Sequence, residues 1–166
     1  MKTFHDTTGR EWTVELTVAS VKRVRSLLGV DLLALHAGQP PLITCLGSDV
    51  CLLCDVLFAL VKPQADAAQV SDEQFGQGLG GAALLDGQQA LYAELADFFR
   101  ALGRTDMTVA VQTQGETIRL ATAAAEARIR KLDLAREVEN EMAKADQQIR
   151  LQTPGSAFTE SPAGSQ

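Results

Sequence analysis

The chain opens on strict alternation. In KTFHDTTGREWTVELTV, Trp12, Val14, Leu16 and Val18 alternate with Glu11, Thr13, Glu15 and Thr17 around a turn at Asp6 to Gly9. That pattern predicts a β-hairpin with one apolar and one wet face. A two-stranded ribbon is marginal by itself, so the Trp12 face needs helices to cover it. The next stretch, ASVKRVRSLLG, changes period. Val21, Val24, Leu27 and Leu28 share a helical face, Lys22, Arg23 and Arg25 lie on the outer side, and Gly29 stands at an αL cap. VDLLALHAGQPPLI adds a short apolar turn that breaks at Pro40 and Pro41. From Ser48 or Asp49 as cap, VCLLCDVLFALV predicts a central core helix, apolar nearly all round and stopped by Lys62 and Pro63.

In VSDEQFGQGLGG, Ser71 is placed as an N-cap with Gln74 at N3 to complete a capping box, and Val70 faces Phe75 as a hydrophobic staple. The glycines that follow end or interrupt this short helix. AALLDGQQALYAELADFFRALG then carries Leu84, Leu91, Leu95, Phe98 and Leu102 on one stripe, weakened at Gly87 and closed by Gly103. Residues 105–115 alternate like a strand but sit where a helix begins; helix or irregular structure is the expectation. From Glu116 to about Leu151 the chain is rich in Ala, Glu, Lys and Arg, with an apolar seam at Ile118, Ala121, Ala125, Ile129, Leu132, Ala135, Val138, Met142, Ala145 and Ile149. Steps of three and four give a coiled-coil-like stripe on a helix of about 50 Å. Either the seam folds back over the hairpin and core helix as a lid, or it meets another chain. The expected fold is mainly α with an N-terminal β-hairpin (α+β): a helical bundle plus a long C-terminal helix. Residues 1–103 make the hairpin and helical core domain, 104–151 the long helical region, and 152–166 a small, polar, proline-bearing tail expected to be disordered.

Composition narrows the function. A net charge of −6 and a pI near 4.9 argue against a protein that neutralises phosphates or anionic lipid, so neither nucleic acid nor membrane is expected as a partner. No stretch approaches the roughly 20 apolar residues of a membrane span, and MKTFHDTTGREW lacks the apolar core of a signal peptide. With 46% hydrophobic but only 5% aromatic residues, the core must be built from Leu, Val and Ala, which suits packed helices.

Candidate chemistry is thin. Gly76, Gly78 and Gly81 match the G-x-G-x-x-G spacing of a dinucleotide cradle, but that cradle needs a strand before the first glycine and a helix opening at the last. Here a helix comes first. Cys51 and Cys54 form C-x-x-C, yet only Cys45 and the scattered His5 and His36 remain as further ligands, so zinc is under-supplied. Buried structural cysteines in a reducing compartment are the expectation. No nucleophile and base are spaced as a triad. Glu94 and Asp97 fall opposite the leucine stripe and read as a solvated face. No catalytic residue, metal or cofactor is expected, and the chain reads as a non-enzyme.

One resemblance adds to this. GREWTVELTVASVKRVRSLLGVDLL, then VCLLCDVLFALVKP, VSDEQFGQGL and ALYAELADFF, resembles in order and character the tail assembly chaperones of long-tailed bacteriophages. Gly9, Arg10, Trp12, Leu27, Gly29, Leu32, Leu33, Ser71, Glu73, Phe75, Phe98 and Phe99 stand at the matching places, over about residues 2–100. The resemblance implies a helper in the host cytoplasm that binds the tape measure protein and keeps its long hydrophobic helices soluble during tail assembly, and that self-associates as a homo-oligomer. Protein-binding positions are then expected at Ile118, Ile129, Leu132, Val138, Met142 and Ile149. The alternative is a structural virion component, a connector or tail completion protein.

Overall fold

The structure is a computed structural model that describes residues 1–152. It is mainly α with an N-terminal hairpin. Strands β1 (Lys2–His5) and β2 (Glu11–Val14) pair antiparallel with Phe4 opposite Trp12. Phe4, Trp12 and Val14 bury one face. The Asp6 carboxylate builds the turn. One of its oxygens accepts from the Thr8 amide (2.9 Å), the Thr8 hydroxyl (2.6 Å) and the Arg10 amide (2.9 Å), and the other from Trp12 Nε1 at 3.0 Å. Burial opposes the charge on Asp6, but these donors outweigh it and hold its carboxyl below the usual range.

Helix α1 (Val18–Leu28) starts at a capping box between Thr17 and Ser20 and stops at Gly29, whose φ of 69° makes the αL cap. Val18 is therefore the first helical residue, two-thirds exposed, and not a strand position. Val21 and Val24 pack on the core while Leu27 is 52% exposed. Each residue turns a helix by about 100°, which carries Leu27 off the face that Leu28 still touches. Leu32 and Leu35 are fully buried in the turns that follow.

A helix that the periodicity does not show, α2 (Leu42–Ser48), begins directly after Pro41. Proline ends what precedes it, but its fixed φ also suits the start of a helix. Asp49 then caps α3 (Val50–Ala67), its side chain accepting from the Leu52 amide at 3.0 Å. α2 and α3 meet at a bend of 103°.

Helix α3 does not stop at Pro63; it runs on to Ala67. Pro63 has no N–H for the Ala59 carbonyl, and Arg23 of α1 replaces it, donating to Ala59 O at 3.3 Å and Leu60 O at 3.2 Å. Arg23 is thus a structural donor and not part of an outer basic cluster. One turn on, Gln64 accepts from the Thr13 amide (2.9 Å) and donates to the Thr13 carbonyl (2.7 Å), adding a side-chain rung to the free edge of β2.

Helix α4 (Asp72–Gly78) has the Ser71/Gln74 capping box, and Val70 and Phe75 are both buried. The Phe75 ring stands edge-on to Trp12 with centroids 5.2 Å apart. Helix α5 (Ala82–Ala101) begins at Gly81, φ 53°, and buries Leu91, Leu95 and Phe99, whereas Leu102 just beyond it is 57% exposed. Gly87 lets α5 approach closely: a Cβ there would lie 3.0 Å from Leu57 Cδ1 and 3.4 Å from the Phe4 ring. Glu94, expected on a solvated face, is buried, accepting from the Leu16 amide at 3.1 Å and pairing with the Met1 amino group.

Helix α6 (Thr105–Gln152) resolves the ambiguous stretch as helix. The chain divides into two compact units after Ala121. In the first, Met107, Thr108 and Val111 of α6 are buried, Gly115 faces the Tyr92 ring, and Ile118 packs against Gly47 of α2. The second unit is α6 from Thr122 onward. The tail expected at 152–166 lies, beyond Gln152, outside the described residues.

Candidate protein-binding surface

Within the second unit, helix formation rests on composition. Ala, Arg, Lys, Glu and Leu dominate residues 122–144, all strong helix formers, and the Lys144–Glu141 pair at 2.9 Å adds weak i,i+3 support. What this helix does not do is hide its apolar side chains. Ile129 is 58% exposed, Leu132 66%, Val138 56% and Met142 66%. Leu134, outside the three-and-four seam and so missed by it, is 60% exposed. Leu134, Val138 and Met142 line a shallow apolar crease walled by Glu137 and Glu141.

The six expected binding positions therefore part company. Ile118 is half-buried within the first unit, against Gly47. Ile129, Leu132, Val138 and Met142 share the exposed second unit. Ile149 lies on α6 where side chains are outside the description.

The other candidates have structural uses. Gly76 and Gly78 belong to α4, which follows helix α3 and not a strand, and Gly81 opens α5; Gly78 lies against the Asp6 side chain and accepts at its carbonyl from the Thr7 amide at 2.9 Å. The three thiols are free: Cys51 is exposed and Cys45 and Cys54 are half-buried, less enclosed than expected. Burial, with help from the charges of Asp55 and Asp72, pushes the Cys54 thiol up to about 11, which leaves it protonated and unreactive at neutral pH. Among the described residues no three His, Cys, Asp or Glu side chains gather as a metal site. His5 and His36 are exposed.

A groove of about 500 Å³ runs between α5 and the start of α6, floored by Tyr92, Ala96, Val111 and Gly115. Its charges are already matched: Lys2 with Asp97 at 2.9 Å, Asp97 with Arg100 at 2.6 Å, and Glu116 with Arg119 at 2.6 Å. Such a rim offers little to a charged ligand. Among the described residues, no single helix is long and apolar enough to cross a membrane.

The chain matches no protein-family model, no curated protein and no solved structure.

Proposed function

We propose that this chain is a non-enzymatic phage tail assembly chaperone that holds the tape measure protein in solution until the tail tube forms around it. The observation that carries the reading is the run of exposed apolar side chains on α6, from Ile129 to Met142, in a chain whose first unit has a core of its own. Large apolar side chains left open at helical spacing suit a helical partner laid along them. The resemblance around Gly9, Trp12, Gly29 and Phe75 supplies the kind of partner. An acidic surface also suits a protein that must keep a hydrophobic client from aggregating.

The test is co-expression with a phage tape measure protein, followed by size-exclusion chromatography. The two should co-elute, and Leu132→Asp should return the client to the insoluble fraction while the chaperone stays folded. A tape measure protein equally soluble with Leu132→Asp, or never found with this chain, would remove the reading.

A further inference from the structure

Past Thr122, α6 carries its charge in two blocks. Glu126 to Arg136 holds four basic and two acidic residues, net +2; Glu137 to Lys144 holds three acidic and one basic, net −2. The charged side chains of both blocks are exposed. Ile129 and Leu132 lie in the first block, Val138 and Met142 in the second, so whatever covers these four meets both charges. A parallel, in-register second copy would set basic on basic and acidic on acidic. A reversed copy sets each basic block on an acidic one, which is the pattern by which flanking charges choose helix orientation.

We infer that residues 126–144 of α6 pair antiparallel with the same segment of a second copy of this chain, about a two-fold axis at position 135. In that register Leu132 faces the partner's Val138, Lys131 faces the partner's Glu139, and Glu126 faces the partner's Lys144. The two-fold makes every such pair occur twice. Each exposed ion pair is weak, so the preference for one orientation comes from the like-charge contacts that the other would collect. The pairing concerns the chain without client and stands apart from the chaperone reading; a client helix competes for the same four apolar positions.

The test uses the purified full chain, with mass measured by sedimentation equilibrium. Wild type should be a dimer. Arg128→Glu with Lys131→Glu makes both blocks acidic, and Glu139→Lys with Glu141→Lys makes both basic. Each pair of substitutions should weaken dimerisation about tenfold or more. All four together restore opposite blocks in swapped order, so the quadruple variant should dimerise again, which also excludes loss of the helix as the cause. A monomeric wild type, double variants that dimerise as well as wild type, or a quadruple variant that stays monomeric would each overturn the inference.

Discussion

Arg23 supplies the hydrogen-bond donor that Pro63 withholds. Its guanidinium reaches the carbonyls of Ala59 and Leu60 from a different helix, and α3 continues unbroken for four more residues. Loss of a charged donor to a part-buried carbonyl costs about 1–3 kcal/mol. Arg23→Ala should therefore lower the unfolding free energy obtained from urea titration by that amount in a wild-type background. With Pro63→Ala, which returns the missing N–H, the same substitution should cost less. The difference is a coupling energy, and equal costs in both backgrounds would disconnect the two residues.

Two helical glycines should respond to alanine with opposite signs. At Gly76 a Cβ meets only Cys54 Sγ at 3.8 Å, so Gly76→Ala should stabilise by up to about 1 kcal/mol through helix propensity. At Gly87 the same Cβ presses on Leu57 and Phe4, both held in the core, and Gly87→Ala should destabilise by about 1–3 kcal/mol. Thermal melts of the two variants decide it.

Asp6 gives the hairpin an acid limit. Its folded-state pKa lies below the unfolded value of 3.8, so its contribution is complete above that pH and is lost as pH falls through the folded value. Asp6→Asn should lower stability at neutral pH and flatten the decline of stability below about pH 4. A variant whose acid limb keeps the wild-type slope would assign that limb to other carboxylates.

Gln64 should matter to one strand more than to the whole. Gln64→Ala removes both hydrogen bonds to Thr13, and the Thr13 amide should lose hydrogen-exchange protection well beyond what a global loss of about 1–2 kcal/mol predicts. Uniform loss across β2 and α3 would count against a local role.

What can be read along the chain is what depends on near neighbours. The capping box at Ser71, the cap at Gly29 and the hairpin turn at Asp6 each complete themselves within a few residues. The misreadings share the opposite property. Pro63 ends a helix unless something distant feeds its orphaned carbonyl, and Arg23 stands 40 positions earlier. Glu94 belongs on a wet face unless an amide such as that of Leu16 arrives to bind it. Ile118 and Ile129 carry the same seam signal, and only the approach of Gly47 separates the half-buried one from the exposed one. Leu134 carries no periodic signal, because it falls outside the three-and-four spacing of the seam.

The amide of Gln64 has one more effect. A bare strand flank invites the backbone of any neighbouring molecule. With both backbone groups of Thr13 already bonded to Gln64, a strand adding along that flank of β2 would first have to displace the side-chain rung.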